Sequence, residues 1–560
     1  MRNPYSLIYR CVLFLMILFF NQTIFAQGFV WVKSYGGAYK DKGRDVGVDA
    51  LGNSFITGFF TNEITFGANT LQVVGQPGDE DIFITKLDGN GDAAWAHSLG
   101  NGYDKHSDYP YGLSVNDNGW SCLTGVCRHY LRLDNGDSIP AISDNDMFLV
   151  SYDPDGNVNW AKVGGGLLDD LGTAAYVDNN QNIYCAGTFK GSINFFGDTI
   201  INASVDHHFY CAKYNQAGDL LWVKTFGSPT DLEVHDVTVN ANGEVYLSGN
   251  FTNTLTVGSY TLTSWGGNDG FILRMDQSGT VLWATSFGST DANSNESAGT
   301  ITVDDNGNCY AASTFKYDCN YVGGPTLQTN SPHNVMLCCW NNSGSFLWAK
   351  AVRGGESPKF SLVTLSILVE ENVLLIGTFA GIDTIGNVVI KPYGDITHPD
   401  AFLASFTPAG EVNWAINVGG DDTDAGFGLA GNNSPFAYAT GNYRYSAQFG
   451  PNNLISNGVS DIWVAKFEKN TFTGVSSVPG DEKFQVFPNP FNDNLTVSMP
   501  YNTSMVSIYN AIGQLVYQQE TSKSDKQINL NFVAPAAGMY TIQLKGDYGV
   551  TTGKLEKQSY

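Results

Sequence analysis

The chain has 560 residues with a formal net charge of −25, 63 glycines, 13% aromatic and 15% charged residues. That length exceeds one ordinary domain, and the composition suits many short strands joined by tight turns rather than helices or disorder. The acidic balance repels nucleic acid and anionic membrane surfaces; it favours cations or basic partners, or simply keeps an exported protein soluble.

Residues 1–26 read as a secretory signal peptide. Arg2 and Arg10 supply the basic start, Cys11 to Phe20 the apolar centre, and Ala26 the cleavage site, leaving Gln27 first. The apolar stretch is too short to span a bilayer, and no later segment reads as a transmembrane span. Eight further cysteines follow, at 122, 127, 185, 211, 309, 319, 338 and 339. Export permits disulfides, with Cys185–Cys211 and Cys309 to Cys338 or Cys339 as conceivable pairs; buried single thiols are the alternative.

From residue 27 to 472 a repeat dominates. Trp recurs at 31, 95, 160, 222, 283, 348 and 414, roughly every 64 residues, in phrases such as WVKSYGG and WAINVGG. Each unit then offers a strand ending V-x-V-D, a strand of the form N-x-Y-x-x-G-x-F, a small hairpin insert such as FGANTL, and an apolar strand such as DAFLASF. The Trp strand closes the unit. Four antiparallel strands apolar on both faces predict a β-propeller blade. The Trp is then a wedge between blades whose indole N–H needs an acceptor. Phe29–Ser34 is a Trp strand with no unit before it, and Asp461–Glu468 ends the last unit without one. The expectation is a seven-bladed ring closed by the N-terminal strand, which removes exposed sheet edges. The repeat over residues 28–470 resembles the SBBP family of bacterial exported propellers, a resemblance that implies a scaffold and carries no catalytic residues.

Residues 473–481 read as a linker and 482–560 as a small β-sandwich of short alternating strands. Phe487-Pro488-Asn489-Pro490-Phe491, Gly513-Gln514-Leu515-Val516, Gly538-Met539-Tyr540-Thr541-Ile542 and Lys554-Leu555-Glu556-Lys557-Gln558 follow in order. Together they resemble the type A sorting domain of the type IX secretion system of Bacteroidota. The resemblance implies an address for the type IX machinery, passage through the outer membrane, and release or anchoring at the cell surface.

No catalytic residues and no cofactor emerge. Esterase elbows, zinc motifs and phosphate loops are missing; Gly136-Asp137-Ser138 reads as a turn, and His207-His208 as the solvated start of a strand. Asp421, Asp422 and Asp424 in GGDDTDAG are candidate calcium ligands, with backbone carbonyls completing the shell. Asp88–Asp92 and Asp153–Asn157 have calcium-loop character too, at positions where a hairpin wants Asp, Asn and Gly anyway. Asp137-Ser138-Ile139, Asp198-Thr199-Ile200 and Asp383-Thr384-Ile385 resemble the D-[ST]-[AILMVT] acceptor of Bacteroidota O-glycosylation, with an Asx turn as the alternative. The first functional expectation is a non-catalytic binding or scaffold protein with a glycan or protein ligand at the propeller loops. The alternatives are a glycan- or peptide-acting enzyme with carboxylates at the channel mouth, and a structural or adhesive surface component.

Overall fold

A computed structural model describes residues 28–470 and 486–558, apart from 102–107, 144, 202–206, 229, 292–295, 330–333, 353–365, 387, 396, 492, 499–502, 511–513, 523–524, 526, 533–536 and 547–548. The expected signal peptide and linker lie outside the described residues. Every regular element among the described residues is a β-strand. No described helix is long and apolar enough to cross a membrane.

The repeat folds as predicted in type: all-β and propeller-like. In the first unit Asp41–Val48, Ser54–Thr61, Glu80–Leu87 and Ala93–Gly100 pair antiparallel in that order. The same four-strand pattern recurs along the chain, and the inserts form small hairpins such as Glu63–Phe66 with Asn69–Gln72. The innermost strands are Asp41–Val48, Tyr109–Val115, Leu171–Val177, Leu232–Val239, Ser297–Val303, Ser366–Val369 and Ala425–Gly431. Each lies against the next, and the last lies against the first. Phe29–Tyr35 pairs with Asp461–Glu468, with Tyr35 opposite Ile462 and Val32 opposite Ala465.

Apolar side chains from facing sheets fill the gaps between units. One cluster joins Phe29, Trp414, Phe449, Trp463 and Phe467; another joins Phe55, Ile82, Leu123 and Phe148. The repeated Trp stitches these interfaces. The indole N–H groups of Trp31, Trp160, Trp222, Trp283, Trp348 and Trp414 donate to the carbonyls of Gly89, Gln216, Gln277, Asn342, Pro408 and Lys469, at 3.0–3.1 Å. Trp95 reaches Pro154 at 3.4 Å. Each acceptor follows the third strand of the neighbouring unit. There a glycine with positive φ, such as Gly344 or Gly410, leaves room for the ring: a Cβ would come within 2.7 Å of Trp283 or Trp348.

The glycine that ends the Trp phrase has a cause of its own. A Cβ on Gly36, Gly100, Gly165, Gly288 or Gly419 would fall 2.1–2.4 Å from the carboxyl of Asp461, Asp81, Asp146, Asp269 or Asp400. The aspartate opening the third strand therefore requires the glycine closing the fourth. Those aspartates cap backbone N–H groups; Asp81, for instance, accepts from Val74 and Asp269 from Trp265.

All eight described cysteines are buried free thiols. Cys185 lies opposite Ala212 and Cys211 opposite Ala186, so the two thiols leave opposite faces of one sheet, into different clusters. Cross-strand adjacency one residue out of register does not bring sulfurs together.

In residues 486–558 the strands Val486–Phe487, Asn494–Ser498 and Gln527–Asn531 make one sheet. Leu515–Glu520, Thr503–Tyr509, Gly538–Gly546 and Gly549–Lys557 make a second. Leu495, Val497 and Leu530 of the first share an apolar cluster with Ile508, Tyr540, Ile542 and Leu555 of the second. The Phe-Pro-Asn-Pro-Phe motif is clamped to the final strand. Asn489 accepts from Glu556 N at 2.8 Å and donates to the Lys554 carbonyl at 3.0 Å; Phe491 N donates to the Glu556 carbonyl at 2.8 Å.

Candidate functional site at the channel mouth

Most innermost strands carry a β-bulge near the start. The register slips at Gly43/Asp45, Pro110/Gly112, Gly172/Ala174, Val234/Asp236, Ala298/Thr300 and Gly426/Gly428. An extra residue in a strand re-aims a side chain away from the sheet face. The bulged residues are Arg44, Tyr111, Thr173, His235, Gly299 and Phe427, and all six line one central cavity of about 370 Å³. That volume falls within the ordinary range of small-molecule sites, roughly 300–1,000 Å³.

Arg44 is its most unusual group. Its guanidinium lies 6.0 Å from the Phe59 ring centre and 5.4 Å from that of Phe427. Among the described residues Nε is buried without a hydrogen-bond partner. Burial pulls its pKa down, and the nearby Tyr111 and Tyr109 hydroxyls favour the charged form. Lys42 precedes it on the same strand and Lys40 lies just before that strand, their ammonium groups 5.9 and 5.2 Å from the Phe59 ring centre. Lys40 pairs with Glu80 at 3.0 Å. The Lys42 pKa is lowered by burial, then by repulsion from Lys40 and Arg44. A chain with 54 acidic residues against 29 basic ones thus gathers three cations around the Phe59 ring.

Two carboxylates also stand in the cavity wall. Burial raises Asp45 to about 7 and Asp236 to about 6. The oxygens of both are engaged across unit boundaries. Asp45 accepts from Val46 N at 2.8 Å and Leu113 N at 3.0 Å. Asp236 accepts from Val237 N at 2.8 Å, and from Ile301 N and Thr300 Oγ1 at 2.9 Å. They tie two of the innermost strands, Asp41–Val48 and Leu232–Val239, each to the one that follows it.

The sequence candidates lie elsewhere. Asp421 is exposed, Asp422 pairs with Arg444 at 3.2 Å, and Asp424 is fully buried, accepting from Arg444 N at 2.9 Å. Arg444 thus engages two of the three carboxylates, one through its guanidinium and one through its backbone N–H, and among the described residues no three His, Cys, Asp or Glu side chains are grouped to hold a metal ion. Asp88 and Asp153 each accept two backbone N–H groups of their own turn, from Asn90 and Asp92 and from Asp155 and Asn157. His207 pairs with Asp231 at 3.3 Å and His208 stacks on Phe189. Gly136 sits in a turn with positive φ. Ser138 and Thr199 are exposed, whereas Thr384 is half-buried.

Comparison with known proteins adds the C-terminal assignment. Residues 485–558 match the secretion system C-terminal sorting domain. The chain is 20% identical over 544 residues to an uncharacterized WD repeat-containing protein of Acanthamoeba polyphaga mimivirus, covering 78% of this chain. It is 27% identical over 180 residues to the regulatory protein FlaEY of Caulobacter vibrioides, covering 30% of this chain. The matches span only 38% and 18% of those relatives' own lengths. Among solved structures an ulvan lyase aligns over 78% of this chain and 96% of its own, at 10% identity and a TM-score of 0.38. A protein of unknown function from Bacteroides caccae aligns over 60% and 89%, at 11% identity and a TM-score of 0.30. The sorting domain marks this protein for secretion by the type IX system to the cell surface or the extracellular space.

Proposed function

We propose that the exported protein is a seven-bladed β-propeller closed by Phe29–Tyr35, that residues 482–560 are a β-sandwich address for the type IX machinery, and that the propeller is a non-catalytic binding protein. The observation carrying the binding reading is the central cavity, walled by residues from each innermost strand and lined by side chains that bulges turn away from sheet packing. Pairing of Phe29–Tyr35 with Asp461–Glu468 and contact between the first and last innermost strands support closure.

Gly299 offers a clean test. A Cβ there meets nothing closer than the Ala312 carbonyl at 3.6 Å, so a large side chain can enter the cavity without disturbing the core. On a glycan array the secreted protein binds a defined set of sugars, and Gly299→Trp abolishes that binding with the melting temperature unchanged. Binding that survives the plug places the ligand elsewhere.

A second reading, an enzyme acting on glycans or peptides, rests on Asp45 and Asp236, whose raised pKa values suit proton transfer. Their saturation by backbone donors favours the wall-tying role. Turnover of an array hit that Asp236→Asn eliminates would establish the enzyme instead.

A further inference from the structure

The chemistry around the cavity narrows what it takes. A desolvated arginine is costly unless an anion meets it. Arg44 is half-buried with its Nε buried and unpaired among the described residues, and it lies over two aromatic rings, Phe59 and Phe427, which attract the guanidinium without neutralising it. Asp45, next in sequence, does not fill that role, because both its oxygens are taken by Val46 N and Leu113 N. The planar fork of a guanidinium fits a carboxylate through two parallel hydrogen bonds. Lys42 adds a second positive charge on the same strand.

Hydroxyl groups stand elsewhere in the same wall, among apolar side chains. Thr238, Thr302 and Ser366 line the same cavity from three different strands, half-buried. Hydroxyls both donate and accept, which matches a ligand carrying several hydroxyls of its own. Tyr111, 41% exposed, and Phe427 flank the mouth and offer ring faces. From these features we infer that the cavity binds a small acidic sugar, a uronate free or at the end of a glycan, with its carboxylate on Arg44 and its hydroxyls on the Thr238, Thr302 and Ser366 side. This rests on the reading of the channel as a ligand site.

The test is calorimetric titration of the secreted protein with D-glucuronate and D-galacturonate, against D-glucose, inorganic sulfate and inorganic phosphate. At least one uronate binds the wild type, more weakly as salt is raised, and glucose does not. Arg44→Leu weakens that binding by about tenfold or more, the worth of a charged hydrogen bond. Arg44→Lys, which keeps the charge and loses the fork, weakens it less. Both variants retain the wild-type melting temperature, because among the described residues Arg44 holds no other element through a hydrogen bond. The absence of uronate binding at tens of millimolar overturns the inference. So does uronate binding unchanged in Arg44→Leu, or sulfate or phosphate binding as tightly as the uronates. Glucose binding that Gly299→Trp blocks overturns the acidic-sugar inference while leaving the channel as the ligand site.

Discussion

Two residue types explain the repeat more fully than the periodicity alone. The Trp was readable as a wedge needing an acceptor, and the acceptor proves to be a carbonyl of the neighbouring unit. Trp414 is 4% exposed and donates to the Lys469 carbonyl at 3.1 Å. Trp414→Phe keeps most of the ring and strands that carbonyl. It is expected to cost roughly 1–3 kcal/mol in denaturant unfolding, and no change would deny the bond a role. The glycine that ends the Trp phrase was legible only as part of the repeat. Its cause, an aspartate carboxyl lying over the backbone, joins residues that no local pattern links. Gly288→Ala puts a Cβ 2.1 Å from the Asp269 carboxyl carbon. Overpacking of this kind costs roughly 1–3 kcal/mol. In a double-mutant cycle Asp269→Ala should make Gly288→Ala much less costly; additive effects would show that the contact is not what the glycine serves.

Among elements, the strands and turns were largely legible because alternation, aromatic content and Asx turns are local signals. The bulges were not. One extra residue in a seven- or eight-residue strand leaves the apolar pattern almost untouched, so Arg44, Tyr111, His235 and Phe427 read as ordinary strand positions. The candidate site therefore escaped the sequence, while the acidic cluster at Asp421, Asp422 and Asp424 drew attention through composition. For calcium to sit there, Arg444 would have to release Asp422. Equal melting temperatures in millimolar calcium and in EDTA are expected at neutral pH; a calcium-dependent rise lost in Asp422→Asn would reinstate the site. The cysteines make a parallel case. Eight thiols should be alkylated on denaturation without reductant, and fewer would indicate disulfides.

Across the whole molecule, buried carboxyls recur where units meet. Burial raises Asp41, Asp81, Asp170 and Asp269 to about 7, Asp424 to about 8 and Asp400 to about 9. Each lies above its unfolded value near 4, so the folded protein holds more protons than the unfolded chain. Their contribution to stability is complete below about pH 4 and is lost as the pH rises through 7 to 9. The melting temperature should fall steadily from pH 5 to pH 9; a rise over that range would mean the carboxyls are ionised and stabilised in the fold. The acidic surface acts in the same direction, since self-repulsion grows as carboxyls ionise.

The proposed ring depends on one strand contributed from the far end of the repeat, Phe29–Tyr35, which pairs with Asp461–Glu468. Chain-terminal segments ordinarily fray and exchange quickly, whereas a strand paired inside a closed sheet opens only with the whole domain. Hydrogen exchange followed by mass spectrometry on the secreted protein compares Phe29–Tyr35 directly with its partner Asp461–Glu468. Closure predicts that both peptides are protected together and exchange at the same slow rate. Exchange of the Phe29–Tyr35 amides within seconds, while Asp461–Glu468 stays protected, would contradict it.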